Sequence, residues 1–186
     1  LIKPILVGWV ACLFFRSLGQ SKAASLFGAI GFAFSGWMIA MWEEALVLIH
    51  SVLWLPLGLY ASNLIWEGKH QKRGFLLLAI ALSFSILAGF LQMTIYVFAS
   101  VFLWNIYRYA TAKRENRSRG IGVVAMGIIT GILMGGVQWV PAVEAYLLSS
   151  RGVVNAKFLF DQFLSPITHL ITFIVPDFWG NPGSYN

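Results

Sequence analysis

Positive charge in this chain is confined to three short links between apolar stretches, and that confinement decides how the chain is threaded. Ten of the thirteen Lys and Arg residues fall in the links 16–22, 66–74 and 108–119. The links between them are acidic or neutral: Glu43 and Glu44, then Gln92-Met93-Thr94, then a long tail with Glu144, Asp161 and Asp177. Lys and Arg collect in the cytoplasmic loops of membrane proteins. The three basic links are therefore expected in the cytoplasm, with 42–44, 91–94 and 141–186 on the outer side of a cell membrane.

Composition agrees. Hydrophobic residues make up 59% of the chain and charged residues 11%, against roughly 25% charged in a soluble domain. A soluble fold of 186 residues has no interior large enough for that apolar surface. Trp42, Trp66, Tyr107, Tyr109 and Trp139 fall near the ends of apolar stretches, where amphipathic rings prefer the headgroup zone. The net charge of +6 is then a topogenic signal and not a nucleic-acid footprint. The single Cys12 lies in an apolar stretch and carries no redox information. The chain begins at Leu1 and stops in a polar segment, and it reads as an internal piece of a larger membrane protein.

A bilayer core of about 30 Å takes about 20 helical residues. Stretches 1–15, 23–41, 45–65, 75–91, 93–109 and 121–140 fit that requirement or approach it. They are expected to be helices, because open strands leave backbone groups unpaired in lipid. The expected fold is thus all-α: a polytopic helical membrane protein with about six transmembrane helices in 1–140. Residues 141–186 are expected to form an extracytoplasmic segment with short helices. There Ser165-Pro166 is a helix-start signature, and the apolar run that follows ends at Pro176, too soon to cross. Small residues recur every four positions at Ser25, Ala29 and Ala33, and again at Gly127, Gly131 and Gly135. Such rows let helices approach closely in lipid, and packing inside the bundle is the expected use.

No expected span carries Asp, Glu, Lys or Arg near its middle, where a charge costs at least about 2.5–3.5 kcal/mol. That argues against a proton pump, a voltage sensor or a buried ion relay. The candidate functional groups lie at the outer ends. His50 sits less than two turns inside its span, seven residues after Glu43, so one helix face presents both if the helix starts that early. A carboxylate and an imidazole there suit a sugar hydroxyl or a phosphate; the plainer alternative is an acidic loop with a hydrogen-bonded core histidine. One His and a carboxylate are too few for an ordinary metal site. Gln92 is the polar group of the second outer hairpin. Glu144 and Arg151 are seven apart and share an outer surface either as a phosphate site, since Arg grips phosphate oxygens in a bidentate fork, or as a plain surface ion pair. Asp177 stands in Pro176-Asp177-Phe178-Trp179-Gly180-Asn181-Pro182, as a sugar or acyl contact or as a turn-forming Asp. Asn116-Arg117-Ser118 matches a glycosylation sequon but lies in a basic link.

Taken in order, Phe34-Ser35-Gly36, His50 with Leu53-Trp54-Leu55-Pro56-Leu57, Ala88-Gly89-Phe90-Leu91-Gln92, Gln138-Trp139-Val140-Pro141 with Glu144, Ser150-Arg151 and Pro176–Pro182 resemble the YfhO family of bacterial membrane proteins. Where that family shows Gly-His-x-Gln, this chain has Gly89-Phe90-Leu91-Gln92, so the resemblance carries only Gln92 of that loop. The resemblance implies a GT-C type glycosyltransferase that moves a sugar from a polyprenyl-phosphate donor to a cell-envelope glycan or teichoic-acid-like acceptor on the outer face. A carboxylate base would act on the acceptor hydroxyl while cations steady the leaving phosphate. In such enzymes the base typically lies in the first outer loop, which is expected upstream of this chain. His50, Gln92, Glu144, Arg151 and Asp177 would then bind substrate. The residues point to no cofactor and leave a divalent metal open. The partners implied are the lipid bilayer, the lipid-linked sugar and its acceptor, with no nucleic acid. The alternative is a transporter or flippase of lipid-linked sugars, for which Pro56 is the only mid-span break in the sequence; a scaffold for envelope assembly is a third reading.

Overall fold

A computed structural model describes residues 2–44, 46–68, 70–112, 114–149, 171 and 178. Among them the chain is all helical: α1 (Ile2–Ser17), α2 (Lys22–Ala33), α3 (Gly36–Glu44), α4 (Leu46–Val52), α5 (Leu55–Glu67), α6 (Gln71–Leu87), α7 (Leu91–Thr111), α8 (Arg114–Met134) and α9 (Gly136–Leu148). It divides into two compact units, Leu1–Ala142 and Val143–Asn186.

Local chemistry sets the boundaries. Pro4 falls in the first turn of α1, where its missing N–H has no helical partner to lose. Ser21 caps α2, its hydroxyl accepting from the Ala24 amide at 3.2 Å. Gly68 (φ +80°) ends α5 and Gly89 (φ +86°) follows the end of α6, a left-handed conformation that glycine takes at little cost. The link between α6 and α7 is therefore 88–90, a few residues before the expected hairpin at 91–94, and Gln92 stands inside the first turn of α7.

α5 is the centre of the first unit and packs against α1, α6, α7 and α8. Its Ala61, Ile65 and Trp66 are buried with Leu78 and Leu82 of α6, Val97 and Val101 of α7 and Val124 of α8. A second cluster joins Val7, Ala33, Met38 and Ile49. Both rows of small residues are spent on internal packing. Ser25, Ala29 and Ala33 are buried on α2, which lies along α1. A Cβ on Gly127, Gly131 or Gly135 would meet Leu78, Leu82 or Ile86 at 3.0, 2.9 and 2.7 Å, so the α6–α8 approach depends on their bare backbones.

The unit buries small polar groups and turns large apolar ones outward. Ser51, Ser62, Asn63, Ser83, Ser85, Thr94 and Asn105 are buried, while Phe27 is 82% and Leu133 70% exposed. Soluble monomers rarely leave so much contiguous apolar surface in water; a surface facing hydrocarbon has no such penalty. Two helical segments are long and apolar enough to cross a membrane: Val47–Glu67, which runs through α4 and α5, and Arg117–Met134 of α8. Lys22–Ala33 and Gly36–Trp42, bent by 44° at their junction, supply a third if the pair is one span.

This is fewer than the six expected. α1 and α6 have 16 and 17 residues, about 24 and 26 Å at 1.5 Å per residue, short of a core of about 30 Å. α7 is long enough, but Gln92, Thr94, Asn105, Arg108 and its Tyr and Trp residues dilute its apolar character. The expected span 23–41 is divided because the Ser35 hydroxyl accepts from the Met38 amide at 3.4 Å and starts a new helix. The expected span 121–140 lies on two helices, α8 up to Met134 and then α9, which continues through Pro141.

In the second unit the described residues are the end of α9, Ile171 in a 3₁₀ turn and Phe178 in a turn. Most of the segment around Ser165-Pro166 and Pro176–Pro182, with its expected short helices, lies outside the described residues.

Candidate functional site

The antiparallel course of the helices sorts polar side chains to two ends of the first unit. At one end, Lys3 in the first turn of α1 reaches His50 in the last turn of α4, with Nζ 2.7 Å from Nε2. An ammonium has three donors and no acceptor. Lys3 therefore donates to Nε2, and the neutral imidazole carries its proton on Nδ1. Among the described residues, what remains unbonded on this pair is all donor: two N–H groups on Lys3 and one on His50. Such a pair suits an anionic, oxygen-rich group. It does not supply a general base, because the imidazole lone pair is already taken.

The pair stands at one end of a cavity of about 490 Å³. Its walls are apolar: Leu6, Trp9 and Val10 from α1, with Leu53, Trp54 and Leu57 from the α4–α5 junction. Trp54 is held by stacking on Phe84, with centroids 4.8 Å apart and planes at 24°. Leu6 and Trp9 are exposed, so the cavity opens along the side of α1. From Lys3 to Val10 it follows α1 for about 10 Å. The site combines a donor-rich head with an apolar trough, the shape of a lipid phosphate.

Neighbouring groups brace this end. Ser85 donates to the Ser51 carbonyl at 3.0 Å, and Thr94 donates to the Ser85 carbonyl at 2.8 Å, which ties α4, α6 and α7 together. Gly89 lies beside Gln138, whose amide nitrogen would be 3.5 Å from a Cβ placed there. The sequence segments 88–92 and 138–141 are thus adjacent at this end. Trp42 packs on the Val7–Ala33–Met38–Ile49 cluster, and its indole N–H is buried without an acceptor among the described residues.

The expected site residues fare differently. His50 is at the cavity. Gln92 is exposed on α7, and its amide nitrogen donates to the Tyr96 hydroxyl at 3.2 Å, one turn along the same helix. Glu144 is exposed on α9 in the second unit. Arg151 and Asp177 lie outside the described residues, as do the side chains of Glu43 and Glu44, so their expected pairings lie there too. Among the described residues, no three His, Cys, Asp or Glu side chains come together as metal ligands. Sequence reasoning missed Lys3 as the partner of His50. Its only signal was position: one of three cations outside the basic links, next to a helix start.

At the opposite end a hydrogen-bonded network joins three helices, α1, α5 and α7. Asn63 donates to the Ser17 hydroxyl at 2.8 Å and accepts from the Trp104 indole at 3.1 Å. Asn105 accepts from the Trp66 indole at 2.8 Å and donates to Ser62 at 2.9 Å and to the Val101 carbonyl at 2.8 Å. These residues adjoin the links 16–22, 66–74 and 108–119, so all three basic links gather at this end. Trp66 also packs edge-on to Tyr109, over which the Arg117 guanidinium sits. Compared with known proteins, the chain matches no protein-family model, no curated protein and no solved structure, and the resemblance to the YfhO family rests on its residues alone.

Proposed function

We propose that this chain is part of a bacterial membrane glycosyltransferase of the GT-C, YfhO-like kind, which transfers a sugar from a polyprenyl-phosphate donor to a cell-envelope acceptor. The observation that carries the reading is the Lys3–His50 pair at the head of an apolar, laterally open cavity. A polyprenyl phosphate presents an anion at one end and hydrocarbon at the other. Its phosphate would take the pair's three remaining N–H donors, and its first isoprenoid units would lie along Trp9, Val10 and Leu57. The Lys3 ammonium would also steady negative charge on the phosphate as it leaves the anomeric carbon, an electrostatic role. The base for the acceptor hydroxyl comes from elsewhere in the protein. In this reading the basic end faces the cytoplasm, the Lys3–His50 end faces outward, and the shorter helices complete about six crossings in the assembled protein. His50 binds donor and Gln92 serves donor or acceptor; Glu144, Arg151 and Asp177 are substrate-binding residues in this reading through the family resemblance alone.

The 44° bend between Lys22–Ala33 and Gly36–Trp42 favours a second reading, a flippase for the same lipid, because discontinuous helices are common at transport sites. Both readings place the lipid phosphate at Lys3. They part on chemistry. Incubating the purified protein with a polyprenyl-phosphate sugar and candidate acceptors, and following product by mass spectrometry, tests them. Transfer that falls at least ten-fold in Lys3→Gln supports the transferase. Donor movement across liposomes with no transfer to any acceptor overturns it in favour of the flippase.

A further inference from the structure

A second cavity, of about 370 Å³, lies at the basic end between α6 and α8. Its rim carries Lys72 and Arg119, both exposed, and its walls are Phe75 and Leu76 of α6 with Val123 and Met126 of α8. Neither Lys72 nor Arg119 has a hydrogen bond or a carboxylate partner among the described residues. The contrast with the neighbouring Arg117 is instructive: Arg117 donates to the carbonyls of Ala112 and Ala110 and rests on Tyr109, so its charge is already engaged. Gln71 forms the cavity floor and is buried, its amide turned back to the Ile65 carbonyl at 3.4 Å. From Arg119 to Met126 the groove follows α8 for about 10 Å, the headgroup-proximal third of a hydrocarbon core of about 30 Å.

Two cations on neighbouring helices above an apolar groove are complementary to one occupant, a phospholipid with an anionic headgroup. We infer that the α6–α8 groove is a binding site for an anionic phospholipid, with the phosphate between Lys72 and Arg119 and the upper part of one acyl chain against Phe75, Leu76, Val123 and Met126. The two cations come from different helices, and the same helices pack through Gly127, Gly131 and Gly135 further along. A bound lipid therefore bridges the open end of a helix pair that is closely packed over the rest of its length. The site is independent of any sugar chemistry, because it lies at the opposite end of the unit from Lys3 and His50.

The test is native mass spectrometry of the chain from nanodiscs of phosphatidylglycerol and phosphatidylcholine in equal amounts, with melting temperature read on the same samples. The unaltered chain should retain phosphatidylglycerol in preference to phosphatidylcholine. K72Q/R119Q should lower that preference by about ten-fold or more, given the attraction of each cation to an anionic lipid. K22Q/R73Q removes two charges from the same end but none from the groove, and should leave the preference within two-fold. Met126→Trp fills the groove with the cations intact and should also lower lipid retention, which separates a lipid from a free phosphate. Equal retention of the two lipids by the unaltered chain would overturn the inference. So would an equal loss in both charge variants, which would show diffuse attraction to the basic end and no built site.

Discussion

The two ends of the bundle treat polar side chains in opposite ways. At the basic end, Asn63 and Asn105 are closed inside the protein, each bonded to an indole N–H and a serine hydroxyl on other helices. At the other end, Lys3 and His50 bond to each other, and their three other donors have no partner among the described residues, beside an open apolar cavity. Polarity by itself therefore does not mark a functional site in a membrane helix. Spare hydrogen-bonding capacity next to accessible volume does. The amide network fixes helix positions, and the lysine–histidine pair is the one proposed above to take a ligand.

The strongest way to break this comparison is at Asn105. Asn105→Ala leaves the Trp66 indole N–H buried with no acceptor and removes a donor from Ser62. An orphaned buried polar group costs about 1–3 kcal/mol, and unfolding in mixed micelles followed by Trp fluorescence should show a loss in that range. A loss under about 0.5 kcal/mol, nearer the average for hydrogen bonds between membrane helices, would mean that the network is replaceable and that the contrast between the ends is overstated.

Gly131→Val sharpens the comparison from the middle of the bundle. Its Cβ would stand 2.9 Å from the Leu82 Cβ and 3.1 Å from the Ala79 carbonyl oxygen. Backbone oxygen does not yield as a flexible side chain does, so overpacking should cost about 1–3 kcal/mol. Donor binding per folded molecule should stay unchanged, because the Lys3–His50 cavity is built from α1, α4 and α5. Weakened donor binding in folded Gly131→Val protein would show that the two ends are coupled through α6.

At the Lys3–His50 end the pattern reverses. Lys3→Gln removes an exposed cation and should change stability by no more than about 0.5 kcal/mol. Its loss from a charge-assisted contact should weaken binding of a polyprenyl phosphate by about ten-fold, measured by native mass spectrometry or by fluorescence of Trp9 and Trp54. His50→Ala should have a smaller effect in the same direction. A large stability loss without a binding change would place this pair with the structural amides.

Charge placement made the gathering of the basic links at one end legible in the sequence, since 16–22, 66–74 and 108–119 carry it in plain view. The four-residue rows made the tight helix pairs legible, because only small residues permit a Cβ-limited approach. Span count was not legible. Apolar runs do not announce the helix start at Ser35 or the break at Gly135, both of which depend on local backbone and capping geometry. Nor were the side-chain partners of Asn63 and Asn105: they lie 39 to 46 residues away in Ser17, Trp104, Ser62 and Trp66, and no local pattern encodes such pairings. His50 stood out by its type, as the only histidine inside an expected span, but its reading depended on Lys3, 47 residues earlier.

Gln92 tests how far the ligand-facing end extends. Its amide bonds to Tyr96 along an exposed face of α7, an arrangement worth about 0.2–0.5 kcal/mol in a helix. Gln92→Ala should therefore lower stability by no more than that. If Gln92 only closes its own helix turn, sugar transfer and donor binding should match the unaltered protein as well. If it also serves the substrate, transfer should fall several-fold at unchanged stability, with little change in binding of a polyprenyl phosphate that lacks the sugar. The second outcome would move Gln92 from the bonded group to the Lys3–His50 group despite its partner. Full bonding would then be a sufficient sign of structure only where the side chain is also buried, as Asn63 and Asn105 are.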